Sequence, residues 1–242
     1  MNKTILISSI FRNSEKKLNR YHEQLKTLVL GFPDIKFLLS IYENDSSDHT
    51  KDILHSLDWS FVSEKSIITE NIGTDFYGSV VDEQRVKNLA SARNKTLDVG
   101  DFLNKSNYVL SIESDIQYDL ECAQRIINFE SDYGIEADIV SAVSCKPSKY
   151  DRKRLYDLWG TRRTPDEEWG SIDNGTDYKE YYATYNCFCF YKSEPIKKGA
   201  KFGWYNNRLK KFDCDTMVIC ENFRDIGHNK IYINHLANCW HI

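Results

Sequence analysis

Asp34-Ile35-Lys36-Phe37-Leu38-Leu39-Ser40-Ile41-Tyr42-Glu43-Asn44-Asp45-Ser46-Ser47-Asp48-His49-Thr50-Lys51 reads as a buried strand that runs into an acidic turn and then a capped helix. The strand part is apolar on both faces, as expected when helices cover a sheet from two sides. Ser47-Asp48-His49-Thr50 opens a helix carrying Ile53, Leu54 and Leu57 on one face. The same alternation extends outward. Thr4–Ile10 is a first strand, and Ser14 caps a helix to about Leu30. Phe61–Thr69 is a third strand, and Val80–Leu97 is a helix with Val86, Leu89, Ala90 and Leu97 at helical spacing. Tyr108–Ile112 and Ala137–Val143 are further strands, with helical Asp119–Phe129 between them. This rhythm predicts an α/β fold, a mostly parallel sheet flanked by helices. Ligands of such sheets sit beyond the carboxyl ends of the strands.

From Lys146 to Tyr181 the periodicity stops, and the stretch collects charges (Asp151, Arg152, Lys153, Arg154, Arg162, Arg163, Asp166, Glu167, Glu168) and two tryptophans. So long a loop inside a compact domain is usually functional or mobile. Ala183–Tyr191 resumes as a strand, about Asp215–Ile226 as a capped helix and Lys230–Ile233 as a last strand before a tail. The 242 residues suit one domain, 1–242, with a strand-rich half at 1–145 and a second half at 146–242 that holds the long loop. With 41% hydrophobic and 28% charged residues the chain is globular rather than disordered. Its 32 basic and 36 acidic residues give net −4, which offers no electrostatic case for a nucleic acid or an anionic membrane as partner. No stretch approaches the ~20 apolar residues of a membrane span. Seven cysteines, an odd number, point to free thiols and a reducing, cytoplasmic setting.

The polar clusters follow strands. Glu43, Asn44 and Asp45 end the second strand, where acid and amide groups accept hydrogen bonds from a base or ribose; a plain capped turn accounts for them equally. Glu113-Ser114-Asp115 ends the fourth, a carboxylate pair that suits Mg²⁺ or Mn²⁺ completed by phosphate oxygens, or else a solvated turn. Arg85 and Ala92-Arg93-Asn94-Lys95 precede that strand, where a guanidinium forks onto a diphosphate or lies on a solvated face. Asp213-Cys214-Asp215 opens a helix; one of its carboxylates suits a general base and one suits an N-cap. His241 beside Trp240 completes a metal site or is exposed. A zinc site among Cys187, Cys189, Cys214, Cys220 and Cys239 lacks any matched Cys-x₂-Cys pair.

In this order the pieces resemble GT-A glycosyltransferases. Glu43–Thr50 lines up with that group's acidic turn, Ala92-Arg93-Asn94 with its Ala-Arg-Asn, Glu113-Ser114-Asp115 with its Asp-x-Asp, and Asp213 to His241 with its carboxylate-helix-Gly-strand-His ending. The nearest pattern is that of the fungal capsule-associated mannosyltransferases. Arg85 and Leu89-Ala90 ahead of Arg93-Asn94, Tyr156-Asp157-Leu158-Trp159 with Arg162 or Arg163, Asn186-Cys187, and Asp213-Cys214-Asp215 with Cys220 carry that resemblance. It implies a metal-dependent transfer of a sugar from a nucleotide-diphosphate donor to a glycan or other hydroxyl acceptor. By the same resemblance Ser8, Arg12, Glu43, Asp45, Arg85, Arg93 and Ser114 hold the donor, with Arg85 and Arg93 on its diphosphate. Asp115, Glu113 and His241 hold the Mn²⁺ or Mg²⁺, although Glu113 stands where the pattern has Asp. Asp215 or Asp213 is the base if the transfer inverts the anomeric carbon, and positions donor or acceptor if it retains. Trp159, Trp169 and the tyrosines of the long loop are expected to stack on acceptor sugars. Two other classes remain: a nucleotidyltransferase, which should carry a Gly-rich loop after the first strand where Ser8-Ser9-Ile10-Phe11-Arg12 has no glycine, and a silent nucleotide- or carbohydrate-binding module.

Overall fold

A computed structural model describes residues 3–78, 80–146, 154–172 and 175–242. In chain order the elements begin with β1 (Thr4–Phe11), α1 (Glu15–Leu30), β2 (Lys36–Asn44), α2 (Thr50–Ser56), β3 (Glu64–Glu70) and α3 (Glu83–Leu97). Next come α4 (Phe102–Lys105), β4 (Tyr108–Ile112), β5 (Ile116–Gln117), α5 (Leu120–Ile127), α6 (Phe129–Tyr133) and β6 (Ile139–Lys146). The second half adds β7 (Arg154–Leu155), β8 (Tyr178–Glu180), β9 (Phe188–Lys192), α7 (Ser193–Lys197), β10 (Tyr205–Asn206), β11 (Lys211–Phe212), α8 (Asp215–Asp225) and β12 (Ile231–His241).

One sheet runs β3-β2-β1-β4-β9-β6-β12-β5. The β1–β4 part is parallel, as expected, with Ile7 facing Leu39 on one side and Leu110 on the other. The sheet as a whole is mixed, because β9 inserts antiparallel between β4 and β6. That inversion brings the start of β9 to the rim where β1, β4 and β12 end. Side-chain alternation along β1 separates two cores. Ile5 and Ile7 pack with Leu25 of α1 and Ile126 of α5, while Leu6 packs with Ala90 of α3 and Phe223 of α8. A strand dry on both faces shows no alternation of polar and apolar residues, and the serines that β1 does carry, Ser8 and Ser9, are buried in hydrogen bonds.

Several boundaries move for local reasons. Helix α3 starts at Glu83 rather than near Val80, because the Asp82 carboxylate accepts the Arg85 N–H at 2.9 Å and sets the cap. The helix expected over Asp119–Phe129 divides into α5 and α6. Strand β9 begins only at Phe188, since Asn186 and Cys187 hold φ of 50° and 64°. The expected tail instead continues β12 to His241, because Trp240 and His241 find an antiparallel partner in β5.

The aperiodic stretch is folded onto the sheet where it is described; Asp151, Arg152 and Lys153 lie outside the described residues. Strand β7 pairs with β6, Arg162 bridges Ala183, and β8 pairs with β12. All seven cysteines are buried and none is in a disulfide, and among the described residues no cluster of three His, Cys, Asp or Glu suits a metal, which speaks against the zinc site. Among the same residues no helix is long and apolar enough to cross a membrane.

Gly170 secures this segment: its N–H donates to the Leu158 carbonyl at 2.9 Å, and a Cβ there would lie 1.8 Å from the Thr161 carbonyl oxygen. Backbone cannot yield as a flexible side chain does. Gly170→Ala is therefore expected to cost roughly 1–3 kcal/mol, several degrees in melting temperature, with faster proteolysis between residues 155 and 172. Calorimetry and limited proteolysis check this; an unchanged melting temperature contradicts it.

Candidate active site

Where β4 ends, Glu113-Ser114-Asp115 turns out of the sheet and β5 immediately pairs with the end of β12. This pairing sets His241 beside Asp115, with His241 Nε2 3.0 Å from Asp115 Oδ2 and the Ile242 N–H donating to the Asp115 carbonyl at 3.0 Å. Lys17 Nζ stands 3.5 Å from the same Oδ2, and the Tyr156 ring packs 4.0 Å from the imidazole. Burial alone raises the Asp115 carboxyl, but His241 and Lys17 outweigh it and hold it below the ordinary carboxylate value.

Beside this pair sits a buried cation. Arg93, on the inner face of α3, donates from Nε to Asp215 Oδ2 at 2.7 Å and from Nη1 to the Tyr185 hydroxyl at 2.5 Å. Its Nη2 lies 2.6 Å from Glu113 Oε1, to which the Tyr185 hydroxyl also donates at 2.6 Å. The guanidinium lies over the Tyr185 ring, 4.5 Å from its centre. Burial opposes the charge, yet Glu113, Tyr185 and Asp215 keep Arg93 protonated. The structure thus places Arg93 at the site but turns its guanidinium onto two carboxylates, not outward to a diphosphate. Glu113 Oε1 is consumed in the same way.

A third carboxylate was quoted in the sequence without a role. Asp157 holds φ of 58°, and its Oδ2 accepts the Asn186 N–H at 3.0 Å. Burial first, then the charges of Glu113 and Asp215, against the pull of Arg93, push its carboxyl up to about 7. Left-handed backbone at a non-glycine residue leaves no periodic trace in a sequence, so nothing distinguishes Asp157 before folding.

Two cavities open on this rim. The larger, about 410 Å³, is lined by Ile10–Ser14, Asp75–Gly78, Arg85 and Ser114, among others. The smaller, about 160 Å³, is lined by Arg93, Tyr156, Asp157, Trp159, Tyr185 and Asp215, among others. Arg85, Leu89, Glu113, Asp115 and His241 line both, so the two are one cleft.

The expected donor-binding residues divide. Arg12, Arg85 and Ser114 line the cleft. Ser8 is buried against Thr96, their hydroxyls 2.5 Å apart, and presents nothing to a ligand. Glu43 is buried too, accepting the Ser46 N–H at 2.8 Å inside its own turn. Asp45 accepts the N–H groups of Ile72, Gly73 and Thr74 at 2.8–3.0 Å. Against the effect of burial, hydrogen bonds from the Thr74 hydroxyl and the Asn44 amide, then from the Gly73 and Thr74 N–H groups, hold its carboxyl well below the usual range. Arg12 donates to Thr74 Oγ1 at 3.0 Å and to the Asp75 carbonyl at 2.9 Å. Arg85 Nε grips the Gly78 carbonyl at 2.7 Å. These three act through the 72–78 segment, which the sequence left unread and which forms one cavity wall. Asp213 turns away from the cleft: Arg162 lies 3.1 Å from its Oδ1, and Asn206 donates to Oδ2 at 3.2 Å. It is a structural ion pair, so it is not a base, and of the two carboxylates only Asp215 faces the cleft.

The Asp115–His241 pair fits a divalent ion in donor type, a carboxylate oxygen and an imidazole on one open wall. Two protein donors leave the other positions to phosphate oxygens and water, the pattern hard divalent ions favour at nucleotide sites. Lys17 approaches the same Asp115 oxygen as His241 and lines the larger cavity.

This arrangement is that of the GT-A glycosyltransferase fold. Staphylococcal TarS ("S. aureus TarS") superposes with a TM-score of 0.60 at 14% identity, over 98% of this chain and 36% of that one. The mannosyltransferase PcManGT from Pyrobaculum calidifontis, solved with GDP-Man and Mn²⁺, gives 0.59 at 11% identity, over 98% and 56%. GalNAc-T7 with UDP, GalNAc and Mn²⁺ gives 0.59 at 10%, over 100% and 44%. The chain spans little more than half, at most, of the length of these structures. Curated protein sequences give no match. The model of the family described as Cryptococcal mannosyltransferase 1 matches residues 4–198, and the chain belongs to that family.

Replacing Arg93 with Met would strand two inward-facing carboxylates without their counter-charge. A loss of about 3–5 kcal/mol is expected in urea unfolding, with part restored when Asp215→Asn is added. Equal stability of Arg93→Met and the unaltered chain would contradict the network.

Proposed function

We propose that the chain transfers a hexose, with mannose the first candidate, from a nucleotide-diphosphate donor to a hydroxyl of a glycan or related acceptor. The observation that carries this is the continuity of the two cavities across Asp115, His241 and Arg85. A donor lying through the larger cavity brings its diphosphate to that junction and its sugar into the smaller one. The family match and the GDP-Man in PcManGT support mannose and guanosine as first choices.

Two negative charges develop on the leaving diphosphate. Asp115 and His241 hold Mn²⁺ or Mg²⁺ in this proposal, and the ion supplies Lewis-acid stabilisation of those charges. Arg85 and Lys17, which also line the larger cavity, add fixed positive charge there without reorganising. Arg93 neutralises Glu113 and Asp215, so that an anionic donor is not repelled by them. Trp159 lines the smaller cavity and lies 6.0 Å from exposed Trp169, their rings 30° apart, a surface suited to sugar faces at the acceptor side.

Thermal shift with UDP, GDP or CMP, each with and without Mn²⁺ and Mg²⁺, tests the donor site. At a hundredfold excess over Kd the nucleotide is expected to stabilise by about 2.7 kcal/mol, several degrees at this size. The increment that depends on metal disappears in Asp115→Ala and in His241→Ala, while melting without ligand changes little. No response to any nucleotide would sink the proposal.

A further inference from the structure

A row of aromatic rings leads out of the smaller cavity. Trp159, in its wall, has the Trp169 ring 6.0 Å away on one side and the Phe212 ring 6.5 Å away on another. Phe212 lies on β11, and Tyr205 of β10 stands directly opposite it. Opposed residues of an antiparallel pair share one face, so Tyr205 carries the row onward from Phe212. Trp204 follows, its ring 5.6 Å from that of Tyr205. Tyr205 and Trp204 are 38% and 37% exposed. Large rings left in water along a continuous line mark a place where something binds.

The row meets a third cavity, of about 210 Å³. Tyr205 lines it with Asn207 and Arg208 of the same hairpin and Glu221, Asn222 and Asp225 of α8. Asp215 and Thr216, in the first turn of α8, line the smaller cavity, so one helix underlies both. Phe212 touches the wall of one and Tyr205 belongs to the wall of the other; the rings connect them.

This surface is built before any ligand arrives. Asn206 is fully buried, and its Oδ1 accepts the N–H groups of Arg208 and Leu209 at 3.1 and 3.0 Å, which shapes the turn. Arg208 reaches both ways, to Glu221 at 3.2 Å and to Asp166 at 2.9 Å, and Lys211 lies 2.5 Å from Glu168. These ion pairs tie the hairpin to the segment that carries Trp169. Rings held in place in this way lose little freedom when they bind.

The chemistry suits one class of ligand. Ring faces beside amides and a carboxylate match the C–H faces and hydroxyls of a sugar chain. Asn207 and Asp225 are exposed at the third cavity, where they can meet hydroxyls. Among the described residues that line it, Val218 is the only aliphatic one, a poor match for a lipid or an apolar peptide. Arg208 and Glu221 neutralise each other and Asp225 is acidic, so an acidic glycan finds no counter-charge there.

We propose that the acceptor is a neutral oligosaccharide of several units, whose sugars beyond the reacting one lie on Phe212, Tyr205 and Trp204 and end in the third cavity. This rests on the glycosyltransferase reading above and specifies its acceptor. A single sugar occupies only the smaller cavity. Each further unit adds a ring contact without moving the reacting position, so affinity grows with chain length.

The test is titration of the full chain, with GDP and Mn²⁺ present, followed by tryptophan fluorescence and calorimetry. The probes are mannose and glucose, their α-linked oligomers of two to six units, and oligogalacturonides of the same lengths as the acidic counterpart. At least one neutral series is expected to bind about tenfold more tightly at five units than at two, and the acidic series more weakly at every length. Tyr205→Ala is expected to remove that tenfold gain while melting without ligand stays close to that of the unaltered chain. Tyr205→Trp is expected to restore it, because a ring face and not the hydroxyl makes the contact. Equal affinity at two and five units in every series, undiminished binding by Tyr205→Ala, or a preference for the acidic series overturns the assignment while leaving the donor site standing. Absence of any nucleotide response in the thermal-shift panel overturns the transferase reading, and the acceptor role with it, whatever the sugars do.

Discussion

One guanidinium organises this rim. Arg93 joins α3, the end of β4, the segment before β9 and the start of α8 through Glu113, Tyr185 and Asp215. Each partner comes from a different region of the chain, and none is stable where it lies without the others. Removing a carboxylate from water is costly, and removing two side by side is prohibitive unless a cation shares the space. The ion pairs therefore record how the two halves of the chain must meet. They also explain why Glu113, in the position of the first acid of the turn, lines the cleft with its Oε1 already taken by Arg93 and Tyr185.

The second constraint lies at the opposite wall. Asp45 and Arg12 hold the 72–78 segment by its backbone, with Asp45 accepting three successive N–H groups and Arg12 donating to Thr74 and Asp75. A loop gripped through its backbone keeps its path whatever its side chains are. Phe76 is left 66% exposed at the cavity edge, with Arg12 5.5 Å below its ring. Arg12 and Asp45, which follow β1 and β2, thus build the wall of the cleft, and Arg12 also lines it.

Much of the fold was legible because the first half repeats one physical pattern. Strands β1, β2 and β4 are dry on both faces and so largely apolar without alternation, and the helices between them carry a single buried stripe. The mixed character of the sheet was not legible. β9 is as apolar as its parallel neighbours, and strand direction depends on which strand it joins. The last residues looked like a tail because β12 shifts register against β6 between Ile233 and Asn238 and ends on β5, two residues long and more than a hundred positions away.

The candidate site divides along the same line. By itself the sequence determined which residue types lie at strand ends, Asp115 among them, because position after a strand is a local property that periodicity reveals; Arg93 within α3, Asp215 at the start of α8 and His241 at the end of β12 were singled out by resemblance to a known family. Only the tertiary structure decided what each side chain faces: Arg93 on Glu113 and Asp215, Asp213 on Arg162, Ser8 and Glu43 behind the wall, and Asp157 on the Asn186 N–H. The reason is physical. Whether a charge is a ligand contact or a structural partner depends on its nearest counter-charge, and here that partner is supplied from 20 to more than 100 residues away.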